Sequence, residues 1–249
     1  MVGNYNHFVC IVAGDDYKSL MAPYNNTNKM EYRIVYRLKD ASYLQDKYIE
    51  LYEVISQSDE LDERHREDAL EALKTAKEQT PEEFFYDFTI DYEYDDEGNA
   101  ISNKNPMGKY SYYAIGQLFS VPFILKDGKT SFTAKKKDID WSKMHGNNVS
   151  VYEAAWDMVM GDKRPETDEE HIIYDNMKER QNYFESFGDR DTYVASSTAF
   201  WGYAFVSDKT GWIDMDDMGN QFAWMSNFYD TFISNLDDNT RLTIIECRK

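Results

Sequence analysis

At 249 residues, 42% of them hydrophobic and 16% aromatic, the chain has enough apolar material for a substantial core, which excludes a disordered protein. Its 27 Lys and Arg stand against 46 Asp and Glu, a formal charge of −19 that repels nucleic-acid phosphates and anionic lipid. Direct nucleic-acid binding and membrane binding are therefore not expected.

The length fits one large domain or two small ones. Two cysteines, Cys10 and Cys247, stand near opposite ends, with no C-x-x-C or Cys/His cluster. They can meet if the first and last strands pair; free buried thiols in a reducing cytosol are the expectation. Met1 to Ala13 lacks a basic segment ahead of a long apolar run, and no run approaches the roughly eighteen residues of a membrane span. These features point to a soluble intracellular protein.

In chain order, His7 to Ala13 is a continuous apolar run closed by Gly14-Asp15-Asp16, the pattern of a strand buried on both faces. Glu31 to Leu38 alternates as a second strand. Leu44, Tyr48, Leu51, Tyr52 and Ile55 fall at helical spacing over Tyr43–Ile55. A charged helix follows, with Ser58 as cap, Asp59 and Glu60 in its first turn, and Leu61, Ala69, Leu70, Leu73 and Ala76 on one face. Thr80-Pro81-Glu82-Glu83 opens a short helical turn. Phe84 to Tyr94 then alternates aromatic with acidic and reads as a strand turned by Asp95 to Asn99.

The stretch Asn105 to Phe119 is dense in aromatics, with Pro106, Gly108 and Gly116 shaping it. Strands are expected at Ser120–Leu125 and Thr130–Ala134. Helices are expected at Val151–Met160, capped by Ser150, and from a capping box at Thr167 to Phe187, before Gly188. A hairpin around Ser207–Thr210, an aromatic helix over Gln221–Leu236 and a closing strand Arg241–Cys247 complete the chain. Strands at both ends, hairpins between them and no strict βαβ rhythm argue for an α+β fold with a mainly antiparallel sheet. We expect a single compact domain over residues 1–249, with residues 58–86 as a protruding helical insert.

No catalytic set stands out. The four histidines share no triad or ligand spacing, and no nucleophile elbow, phosphate loop or dinucleotide fingerprint is present. The sequence therefore implies no cofactor and points away from an enzyme. Asp214, Asp216 and Asp217 are the weak candidates for a hard-cation site, although solvated turns explain them as well. Asp91, Glu93, Tyr94, Asp95 and Asp96 form an acidic, tyrosine-bearing run suited to contact with a basic partner. Lys109, Tyr110, Tyr113 and Trp212 are the candidates for a ligand pocket beneath the aromatic stretch, with Lys109 reaching an anionic ligand.

Certain short motifs occur in a telling order: His7-Phe-Val-Cys-Ile-Val-Ala-Gly-Asp-Asp, then Leu20-Met-Ala-Pro-Tyr24. Asn105-Pro-x-x-Lys109-Tyr110-x-x-Tyr113-x-Ile115-Gly116, Gly211-Trp212 and Thr243-Ile-Ile-Glu-Cys247 follow. This order resembles a broad group of bacteriophage and prophage proteins of unassigned function. In that group the central motif reads Asn-Pro-x-x-Lys-Trp-x-x-Tyr-x-Ile-Gly-Gly-Arg-Trp, and the last strand ends Asp-Cys-His. Here Tyr110 replaces a Trp, Gln117-Leu118-Phe119 replaces Gly-Arg-Trp, and Glu246-Cys247-Arg248 replaces Asp-Cys-His. The resemblance implies a phage origin and no reaction.

Taken together, these features lead to the expectation of a phage-encoded acidic binding protein in the host cytoplasm. Its expected role is inhibiting a host defence system of the CRISPR or restriction type through a basic nucleic-acid-binding protein or nuclease. A small-molecule-binding protein or enzyme with a pocket near Lys109 and Trp212 is the alternative, and a phage assembly component a third.

Overall fold

The computed structural model describes residues 7–58, 62–116, 120–146, 148–161 and 163–249. The expected helix start at Asp59, Glu60 and Leu61, and Gln117-Leu118-Phe119 of the central motif, lie outside the described residues. The fold is α+β with mostly antiparallel sheets. The chain divides into two compact units, one formed by Met1–Thr27 with Pro106–Lys249, the other by Asn28–Asn105.

The first unit opens with β1 (His7–Ala13) and a short helix α1 (Tyr17–Met21). The second unit then contributes β2 (Arg33–Tyr36), α2 (Ala41–Ser56), α3 (Glu63–Glu78), α4 (Pro81–Phe88), β3 (Glu93–Tyr94) and β4 (Ala100–Ser102). The chain re-enters the first unit with β5 (Tyr112–Ile115), β6 (Phe123–Ile124), β7 (Thr130–Ser131) and β8 (Thr133–Lys135). Helices α5 (Trp141–Met144), α6 (Val149–Val159), α7 (Asp168–Met177), α8 (Gln181–Glu185) and α9 (Arg190–Thr198) follow. The hairpin β9 (Ala204–Ser207) and β10 (Gly211–Asp214), then α10 (Gln221–Phe228) and β11 (Arg241–Arg248), end the chain.

The first unit is built on a sheet of order β10-β9-β1-β11-β5, with β8 also on β11. The first and last strands pair antiparallel from His7 opposite Arg248 to Ala13 opposite Leu242, while β1 runs parallel to β9. The apolar run in β1 has a direct cause, because both of its faces are covered. Ile11 and Ala13 join Phe205, Leu242 and Ile244 beneath Trp224 and Phe228 of α10. Phe8, Cys10 and Val12 face the other way, with Val206, Ile245, Cys247 and Tyr110. The two cysteines thus share one face as free thiols, and burial pushes both thiols up from their ordinary range. The helical part packs on Ala155, Phe184, Phe187 and Tyr193.

In the second unit β2, β4 and β3 form a three-stranded sheet, and Ala41, Phe85 and Ala100 form the buried core. Gln45 ties α2 to the end of α3 by donating to the carbonyls of Ala76 at 2.7 Å and Gln79 at 2.9 Å.

Four local expectations are corrected. Phe84 to Phe88 is helix rather than strand, because Thr80 and Glu83 close a reciprocal capping box and Pro81 fits the first turn. Only Glu93–Tyr94 remain strand. Helix α3 is capped by Asp62, which accepts from the His65 N–H at 3.0 Å, and not by Ser58. Ser150 lies inside α6, whose cap is Asn148 in a left-handed conformation. The helix expected from Thr167 to Phe187 is broken between Met177 and Gln181 into α7 and α8. Among the described residues no helix is long and apolar enough to cross a membrane.

Candidate functional site

Several of the short motifs come together at one place in the first unit. The Lys109 N–H donates to the Tyr24 carbonyl at 2.7 Å, and the Asn26 N–H to the Tyr110 carbonyl at 2.7 Å. The Tyr110 hydroxyl donates to the Met21 carbonyl at 2.9 Å, and the Trp212 N–H to the Tyr24 hydroxyl at 2.9 Å. Gly211 has φ +66°, and a Cβ there would lie 2.9 Å from that same hydroxyl, so the position demands glycine. Trp212 packs against Tyr24 and Phe8, at ring-centroid distances of 5.3 and 6.1 Å.

This scaffold frames a cleft of about 390 Å³ whose wall includes Phe8, Lys109, Tyr203, Trp212, Asp214 and Lys249. Asp214 is its electrostatic centre. The carboxylate is held at the end of β10, and its Oδ2 accepts from Lys109 Nζ at 3.0 Å and from Trp212 Nε1 at 2.9 Å. Burial pushes this carboxyl up, but the Trp212 and Lys109 hydrogen bonds outweigh burial and hold it below the ordinary carboxylate range. Conversely, burial pulls Lys109 down, and its bond to Asp214 more than offsets that. Asp214 Oδ1 is buried with no hydrogen-bond partner among the described residues, while the Asp217 N–H of the following turn caps the same carboxylate in a reciprocal capping box.

Asp216 and Asp217 have other engagements. Asp216 accepts from the Tyr203 hydroxyl, and Lys249 Nζ stands 3.8 Å from Asp216 Oδ2. Asp217 Oδ2 accepts from the Asp214 N–H at 3.3 Å. The three acids weighed as a cation site therefore do not gather on one point. Among the described residues no group of three or more His, Cys, Asp or Glu is arranged to hold a metal ion. Lys249 also lies 5.2 Å over the Tyr203 ring, within cation–π range. Burial and the Asp216 bond push the Tyr203 hydroxyl well above its usual range.

The candidates thus sort into three groups. Lys109 and Trp212 line the cleft with Asp214, Asp216 and Asp217. Tyr110, only 1% exposed, supports the cleft from behind with its ring stacked toward Trp212. Tyr113 packs on Tyr110 and Tyr17 in the same layer. The Lys109 ammonium, expected to reach an anionic ligand, is paired with Asp214 at 3.0 Å. Phe8, Tyr203 and Lys249 were not foreseen. Only the pairing of β1 with β11 and β9 brings them to Trp212, and no local spacing carries that signal.

The acidic run belongs to the second unit. Glu93 accepts from the Tyr32 hydroxyl at 3.0 and 3.1 Å, while the Tyr94 hydroxyl donates to the Thr89 carbonyl at 3.0 Å. Asp95 builds the turn by accepting from the Glu97 and Asn99 N–H groups, both at 2.9 Å, and its bonds to Asn99 hold its carboxyl below the ordinary range. Asp91 and Asp96 are exposed. A groove of about 440 Å³ between α2, α3 and α4 joins Tyr48, Phe84 and Phe88 to Asp68, Glu71 and Asp87.

Comparison with protein-family models, curated proteins and solved structures finds no match.

Proposed function

We propose that the protein works by binding, as an acidic phage-encoded protein that occupies a basic surface of a host defence nuclease or a related nucleic-acid-binding protein in the host cytoplasm. The carrying observation is where the charge lies. Asn28–Asn105 holds 21 Asp and Glu against 10 Lys and Arg, so under a third of the chain bears more than half of the −19. The same unit exposes Tyr43, Val54 and Ile90, and its groove combines rings with carboxylates. Carboxylates beside exposed rings suit a basic partner, the charge steering the encounter and the rings supplying buried area.

The test is capture of host proteins on the intact chain, beside a variant carrying Asp91→Asn, Glu93→Gln and Asp96→Asn. Asp95 stays because it builds its turn. The expected partner is a basic nuclease or nucleic-acid-binding protein, released by salt and held less well by the variant. Recovery of no such protein, or equal recovery by the variant, overturns the reading.

The Lys109–Asp214–Trp212 cleft favours a second reading, a small-ligand-binding protein or enzyme. Its support is the convergence of a lysine, an indole and a nearly buried carboxylate on one cavity.

A further inference from the structure

The second reading leaves open what the cleft would take, and the charges around it narrow the choice. Three carboxylates, Asp214, Asp216 and Asp217, face two ammonium groups, Lys109 and Lys249, so the cleft carries a net negative charge. Lys109 is neutralised by Asp214 at 3.0 Å and offers little to an anion. Asp214, whose side chain is 7% exposed, keeps one oxygen without a hydrogen-bond partner among the described residues. A buried carboxylate oxygen in that state is costly and favours a strong donor nearby.

Lys249 shows how a cation sits at the neighbouring carboxylate, Asp216. Its ammonium is seated over the Tyr203 ring at 5.2 Å, 3.3 Å from the Tyr203 hydroxyl and 3.8 Å from Asp216. Ring face, hydroxyl oxygen and carboxylate are the three elements that recognise an organic cation. Yet the Lys249 side chain is 53% exposed and its carboxylate distance is long, so this seat is held weakly. Phe8 and Trp212 extend the apolar wall beside it, where an alkyl chain can lie.

We propose that the cleft is a receptor for an alkylammonium or alkylguanidinium group, and that Lys249 is an internal occupant displaced when such a ligand enters. The inference rests on the reading of the cleft as a ligand site. The cationic head takes the place of the Lys249 ammonium against Asp216 and Tyr203, its alkyl portion packs along Phe8 and Trp212, and the charge of Asp214 lies behind it.

Calorimetric titration of the full chain tests this, with agmatine and cadaverine as free cations, acetyl-arginine amide as the same head group on a peptide unit, and inorganic phosphate as the opposite charge. The cations are expected to bind and phosphate not. Asp216→Asn should weaken the cations by about tenfold, the size of a lost charge-assisted hydrogen bond. Lys249→Met should strengthen them by several-fold, because it removes both the competitor and a positive charge. That variant lies at the rim and keeps the inference testable if changes at buried Asp214 prevent folding. Stronger binding of acetyl-arginine amide than of agmatine marks a partner's side chain as the source, and the reverse marks a free amine. Binding of phosphate, weakened by Lys249→Met, overturns the cation inference while leaving a ligand site. Binding of none of the probes removes both.

Discussion

At the scale of single residues, His145 is a buried group whose protonation matters. Its Nδ1 accepts from the Phe200 N–H at 3.2 Å, so a neutral ring carries its proton on Nε2. The ring packs edge-on to Tyr229 at 4.5 Å and beside Trp141. Burial lowers its pKa, against the opposing pull of Asp230. A folded value below the unfolded one means the contribution is complete above about pH 6.5 and is lost as pH falls through the folded value. Thermal unfolding should therefore show stability falling on acidification below pH 6.5 more steeply than in His145→Asn, which keeps an acceptor but does not titrate. Parallel curves for the two proteins would refute this role. The sequence showed His145 only as one of four scattered histidines, because its partner amide lies 55 positions away. Lys109 and Trp212, which line the cleft, were legible as candidates from their motifs. Their shared carboxylate was visible only as part of an acidic cluster, since nothing local distinguishes Asp214 from Asp216 or Asp217.

At the scale of elements, local chemistry was legible where it was unambiguous. The strand β1, the β9–β10 hairpin, helix α2 and the closing strand β11 all stand close to where periodicity and turn residues place them. The failures have physical causes. Phe84, Phe85 and Phe88 fit either period, and the capping box at Thr80 and Glu83 decides for helix. Removing that cap with Thr80→Ala should cost about 1 kcal/mol, read as faster amide exchange across α4, with Thr80→Ser restoring protection. Unchanged exchange in Thr80→Ala would show that the burial of Phe84 and Phe85 alone holds the helix. The break between α7 and α8 follows from packing: Ile173, Met177, Phe184 and Phe187 all pack into the cluster around Ala155 and Tyr193. One straight rod would carry part of that stripe away. Helix α9, which supplies Tyr193, has a weak apolar face, so its periodicity does not mark it in the sequence.

At the scale of the whole molecule, fold class followed from the sequence, because strand and helix signals alternate without a crossover rhythm. Sheet order did not, since pairing is decided between segments far apart. The central pair of the larger sheet is β1 with β11, and His7 and Glu246 within it are 239 positions apart. This has a consequence for the making of the protein. At about 5–20 residues per second, synthesis leaves the apolar strand β1 without its antiparallel neighbour for on the order of 10–50 seconds. The Asn28–Asn105 unit draws its sheet and its core from within its own span and has no such delay. A chain stopped before Arg241 should keep amide protection across α2, α3 and α4 and lose it in β1 and β9. Protection of β1 without β11 would contradict that order. During each round of translation, then, the apolar Phe8–Ala13 segment keeps its β11-facing edge open to stray pairing until Arg241–Arg248 has been made.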